Sequence, residues 1–149
     1  MPEAATEIHN LIHRYAECID LGDFPAVAEL LADAEVGAAG GPTVTGREAL
    51  EAMFTASTRL HPDGTPGTKH VTTNVILEID DDAGTASSRS YWTVLQAVPG
   101  LPLQPILAGR YHDRFARTDG QWRFTERRYL IDLVGDLSHH LLIGLPSTE

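Results

Sequence analysis

Lys69-His70-Val71-Thr72-Thr73-Asn74-Val75-Ile76-Leu77-Glu78-Ile79 is the stretch in which the chain changes period. Before it, apolar residues recur every three or four positions, as on a helix; from Thr68 onward they alternate, as on a strand. Alternation sets Thr72 and Asn74 on the face of His70 and sends Val71, Val75, Leu77 and Ile79 to the other. Asp81-Asp82-Ala83-Gly84 turns the chain into a second strand, Thr85 to Val98, and a loop from Pro99 to Pro105 leads to a third, Ile106 to Arg117. Asp119-Gly120 suits a tight hairpin, after which the last strand runs from Gln121 to Leu133. Gly135, Asp136 and Ser138 then predict a turn and a short terminal helix through His139, His140, Leu141 and Leu142.

Working back from this meander, Ile8 to Asp20 reads as an amphipathic helix, with Ile8, Leu11, Ile12, Tyr15, Ala16 and Ile19 on one arc. Tyr15 falls in the middle of that stripe. Asp20 falls in the last turn, where the helix dipole disfavours a carboxylate, and such a broken local rule points to function. Asp23 caps a second helix that carries Pro25 in its first turn, with Phe24, Val27, Leu30 and Leu31 on one side. Glu35 to Ala39 and Thr43 to Thr45 are short strand candidates around the turn Gly40-Gly41-Pro42. A third helix spans Arg47 to Arg59, and His61 to Gly67 is a Pro/Gly loop. Helices first and a four-strand antiparallel meander after them make an α+β domain, with Gly109 and the polar strand residues calling for bends or bulges. A sheet curled around the first helix forms a cone with a pocket at its open end.

The 149 residues fit one domain, 1–149, long enough to bury on the order of 70% of the unfolded surface. Eleven basic against 21 acidic residues, net −10, argue against a nucleic-acid or anionic-membrane surface. Cys18 is the only cysteine, which excludes an internal disulfide and suits a reducing, cytoplasmic setting. No apolar run reaches membrane-spanning length, and Met1 to Thr6 lacks the features of a signal peptide.

Among groups able to do chemistry, His70 stands first: were Asp20 to accept one ring N–H, the carboxylate would fix the tautomer and leave the other nitrogen as a base. Arg127 and Arg128 lie in an otherwise apolar and aromatic run, so one of them faces inward and needs an anionic partner, such as Asp20, Glu126 or a substrate oxygen that becomes negative. Alternation from Trp122 favours Arg128; Arg127 points in only with a bulge or an outward Trp122. Arg110, His112, Asp113 and Arg114 read as a structural network. No Gly-rich phosphate loop, GxSxG elbow or H-E-x-x-H pair occurs. His9 and His13 have a metal-like spacing but face the polar side without a third ligand, so no metal is assigned. His139 and His140 read as solvated surface.

These residues add up to a resemblance. I-H-R-Y-A-E-C-I-D-L-G-D-F, K-H-V-T-T-N, G-R-Y-H-D-R-F-A-R-T-D-G-Q-W-R-F and E-R-R, in this order, make the chain similar over nearly its full length to the SnoaL-like branch of the NTF2-like superfamily. Within that branch it resembles the group holding scytalone dehydratase, bile-acid dehydratase and dehydrochlorinase relatives. The resemblance implies an NTF2-like cone, three N-terminal helices packed on a strongly curved antiparallel sheet. It also implies that Asp20 orients His70 as the base, that Tyr15 helps the leaving group and that Arg127 belongs to the site. Asn74 matches a pocket Asn, and Trp92 and Phe54 are expected to contact the substrate beside it.

The expected activity is cofactor-free acid–base chemistry on an apolar, ring-containing small molecule: loss of water, with isomerisation, polyketide-type cyclisation or ligand binding without chemistry as alternatives. A homo-oligomer, dimer or trimer, is expected because Val71, Val75, Leu77 and Ile79 would leave an apolar outer face.

Overall fold

The computed structural model describes residues 3–144. Three helices, α1 (Ala4–Asp20), α2 (Phe24–Leu30) and α3 (Arg47–Ser57), pack against a curved, unclosed sheet of β1 (Glu35–Ala38), β2 (Thr68–Asp80), β3 (Thr85–Val98), β4 (Leu101–Thr118) and β5 (Gln121–Val134). The expected stripe of α1 is the buried one, from Ile8 to Ile19, and Asp23 caps α2 by accepting from the Ala26 N–H at 3.1 Å. Asp119 and Gly120 both have positive φ, 51° and 76°, as a two-residue turn between right-twisted strands requires.

The sheet order is β1-β5-β4-β3-β2. β2 to β5 form the antiparallel meander, but β1 runs parallel to β5, Val36 opposite Arg127, so the sheet is mixed and five-stranded rather than purely antiparallel. Of the second short candidate only Val44 pairs, in a single bridge to Val36. The predicted loop Pro99 to Pro105 is mostly strand: β4 begins at Leu101. Beyond the Gly135 N–H, which donates to the Ile106 carbonyl at 2.7 Å, no β5 residue pairs with β4, and such an edge tolerates the missing N–H groups of Pro102 and Pro105. The predicted terminal helix is a turn, tied to the end of α3 by the Leu142 N–H donating to the Ser57 carbonyl at 2.9 Å.

One extra residue in a strand decides several faces. The β2–β3 register slips between Thr73 and Ile76, and Asn74 there has φ of 54°. The bulge returns Val75, Leu77 and Ile79 to the face of His70, where they pack on the core; only Val71 and Ile76 point out. The expected apolar outer face therefore does not consist of Val71, Val75, Leu77 and Ile79. On β5 the register slips again, Arg114 opposite Glu126 but Phe115 opposite Phe124, with Thr125 as the extra residue. Trp122 and Arg127 consequently share the inner face. A third slip, at Ala108 and Gly109, marks a place where a side chain on Gly109 would strike the Leu130 carbonyl and the Trp92 indole. Among the described residues no helix is long and apolar enough to cross a membrane.

Candidate active site

Asp20 is the last residue of α1. The helix closes with Gly22 at φ 72° and with the Asp23 N–H donating back to the Cys18 carbonyl at 3.0 Å. A side chain on Gly22 would meet the Gly64 carbonyl, so the bare glycine lets the helix end dock on the loop that feeds β2. This contact brings Asp20 to a residue fifty positions later. Its carboxylate accepts from the Thr68 hydroxyl at 2.8 Å, the His70 backbone N–H at 2.8 Å and the His70 Nδ1 at 2.7 Å.

Burial pushes the Asp20 carboxyl up, but the His70 ring and N–H and the Thr68 hydroxyl together hold it below its usual value. The carboxylate is thus ionised near neutrality and has only acceptors to offer. The His70 Nδ1 is therefore the donor in this pair, so that in the neutral ring Nε2 is the nitrogen left with the lone pair, and it has no protein partner among the described residues.

Arg127 is 1% exposed and makes a two-pronged ion pair with the fully buried Asp113, Nε and Nη2 each 2.9 Å from a carboxylate oxygen. Its partner is neither Asp20 nor Glu126, and the patch around Asp113 supplies it. Arg128 lies at the side and donates to the Ala38 and Gly41 carbonyls. The Arg127 Cζ sits 3.7 Å from the centre of the Tyr111 ring and 4.2 Å from that of Tyr15. Burial disfavours the guanidinium charge, yet Asp113 more than compensates and its pKa is raised. Burial raises Tyr15 despite Arg127 beside it, so the phenol keeps its proton and can donate a hydrogen bond.

His70, Tyr15, Arg127, Trp92 and Phe54 all line one cavity of about 330 Å³, closed elsewhere by side chains such as Val36, Met53, Leu107 and Ile131. Asp20 stands behind His70. Asn74 is not in the cavity: it is exposed, on the bulge of β2, and the slip that turns Val75 inward turns Asn74 out. His140, expected on the surface, is 5% exposed and lines the cavity, its ring 6.4 Å from that of His70. A hint lay in its neighbours, Leu137, Leu141 and Leu142, which are too apolar for a solvated tail. Tyr111, also missed, was legible only from its alternation with Phe115 on one strand face. Among the described residues no three His, Cys, Asp or Glu side chains converge to hold a metal ion.

Residues 2–128 match the family described as a SnoaL-like domain. Among solved structures, an NTF2-like protein with a cystatin-like fold from Novosphingobium aromaticivorans is 26% identical, with a TM-score of 0.70 over 85% of this chain and 80% of its own. A protein of unknown function from Mycobacterium tuberculosis is 28% identical, with a TM-score of 0.70 over 86% of this chain and 71% of its own. A protein from Novosphingobium aromaticivorans provisionally named scytalone dehydratase is 24% identical, with a TM-score of 0.68 over 89% of this chain and 86% of its own. No curated protein matches the chain.

Proposed function

The chain belongs to the SnoaL-like domain family, and from this premise we propose that it is a cofactor-independent acid–base enzyme, most simply a dehydratase, acting on an apolar, ring-containing small molecule in the cytoplasm. The observation that carries the reading is the Asp20–His70 pair at 2.7 Å with the histidine on the wall of an apolar cavity. In this mechanism Nε2 of His70 removes a proton from a carbon activated by its neighbours, and the Asp20 carboxylate stabilises the imidazolium that forms. The electrons of the broken C–H bond make a C=C bond as the C–O bond breaks. Tyr15 hydrogen-bonds the departing hydroxyl, which takes up the proton held by the His70 imidazolium to leave as water and restore the neutral base, and the charge of Arg127 keeps that part of the cavity favourable to developing negative charge. Loss of water is placed ahead of isomerisation or cyclisation on the likeness to a scytalone-dehydratase-type neighbour, since a phenol beside a cation would serve a departing oxygen and an enolate oxygen alike. The apolar walls favour a substrate with rings and few charges.

The test is a thermal-shift screen of hydroxylated steroid-like and polyketide-like compounds, followed by mass analysis of the products from the hits. A positioned base supplies about 10² to 10⁴ in rate, so His70→Ala and Asp20→Asn should lower turnover by that order. Turnover unchanged in both variants would sink the mechanism. Tight binding without product, unaffected by His70→Ala, would identify a ligand-binding module instead.

A further inference from the structure

The segment after β5 crosses the mouth of the cone and is pinned from several sides. Ser138 closes a turn on Asp136, its N–H donating to the carboxylate at 2.9 Å. The His139 carbonyl accepts from His61 Nε2 at 2.9 Å and from the buried Gln96 at 3.0 Å. The His140 backbone is used at both ends: its N–H donates to the Leu137 carbonyl at 3.0 Å and its carbonyl accepts from the Arg59 N–H at 2.8 Å. The ring that this scaffold holds in the cavity has no hydrogen-bond partner among the described residues, and its Nδ1 is fully enclosed. A polar ring so firmly placed and so poorly satisfied has no structural rationale, since a leucine would pack there at less cost.

We propose that His140 is a further catalytic group, which donates Nε2–H to a substrate carbonyl oxygen beside the carbon that loses its proton to His70. The inference rests on the reading of His70 as base and deepens it, because it assigns the substrate class: a ring ketone, or an aldehyde or ester equivalent, with a hydrogen on the adjacent carbon. As the C–H bond breaks, its proton goes to His70 Nε2 and its electron pair forms a C=C bond. The carbonyl π electrons move to oxygen, and the resulting enolate is held by the His140 N–H without a second proton transfer. The tautomer follows from the enclosure. Buried orphan N–H groups are rarer than under-satisfied acceptors, so the enclosed Nδ1 carries the lone pair and Nε2 the proton. Burial, with the neighbouring His70 and His61 rings and against the pull of Asp20, lowers His140 to about 4. At neutral pH it is therefore an uncharged donor, which polarises a carbonyl without protonating it.

The experiment uses the full chain with α-tetralone, a bicyclic ketone with hydrogens next to its carbonyl, as probe. Two readouts are followed: the carbonyl stretching band of the bound ketone and exchange of its α-hydrogens in D₂O. With the wild-type protein the band moves to lower wavenumber and exchange is accelerated. His140→Phe should remove the band shift, weaken binding by about 2- to 10-fold, the worth of one hydrogen bond, and slow exchange. His140→Gln, which presents an amide N–H near the same place, should recover part of the shift. His70→Gln should abolish exchange and keep the band shift. A shifted band that survives in His140→Phe, an unshifted band in the wild-type complex, or failure of the wild type to bind at millimolar ketone overturns the proposal. Exchange that survives His70→Gln instead overturns the reading of His70 as base, so the two failures are told apart.

Discussion

Asp113→Asn tests what the buried ion pair contributes. Both partners are withdrawn from water, with side-chain exposures of 1% for Arg127 and 0% for Asp113, and each carboxylate oxygen accepts one guanidinium N–H at 2.9 Å. The substitution changes no volume, but it leaves the guanidinium charge buried and turns one acceptor into an NH₂ group facing other donors. Removing one partner of such a pair costs about 3 to 5 kcal/mol. At about 2 cal/mol/K of unfolding entropy per residue, a chain of 149 residues converts that loss into a fall in Tm of about 10 to 16 °C. Thermal and urea unfolding of wild type and variant measure it. A companion, Asp113→Leu with Arg127→Met, removes both charges and should recover most of the stability, because the cost lies in the uncompensated charge and not in the lost attraction. A single variant that loses less than about 1 kcal/mol would refute the reasoning, as would a double variant no better than the single one.

Asp20 has a lowered folded-state pKa, so the stability it contributes is fully present above the unfolded carboxylate value of about 3.9 and is lost as pH falls through the folded value. Urea midpoints of wild type and Asp20→Asn should therefore differ at neutral pH and converge on acidification; a pH-independent gap contradicts the ionised pair. Gly109→Ala places a methyl against the Leu130 carbonyl and the Trp92 indole and should cost about 1 to 3 kcal/mol in urea unfolding, with Trp fluorescence reporting the displaced ring. Outward-facing Val71, Ile76, Tyr91, Leu103 and Leu133 lead us to expect a homo-oligomer, dimer or trimer, and sedimentation that finds only monomer at micromolar concentration contradicts it.

Whatever depends on neighbours along the chain could be read from it. The stripe of α1, the Asp23 cap, the Asp119-Gly120 turn and the change of period at Thr68 are local, governed by side-chain spacing and allowed φ, and each lies where the residues say. The likeness of ordered motifs to the SnoaL-like domain also singled out Asp20 and His70 before any distance was known. Registers were not legible. One additional residue at Asn74 or Thr125 reverses every later side chain on its strand, and whether a strand bulges is settled by the partner it must match, so Asn74 left the pocket and Arg127 entered it. The partner of Arg127 and the burial of His140 belong to the same class. Asp113 meets Arg127 through pairing of adjacent strands, and His140 reaches His70 because Arg59, His61 and Gln96, far away in sequence, hold its segment across the cone. Hydrophobic period fixes which way a side chain points relative to its own element; only the packing of one element on another decides what it meets there.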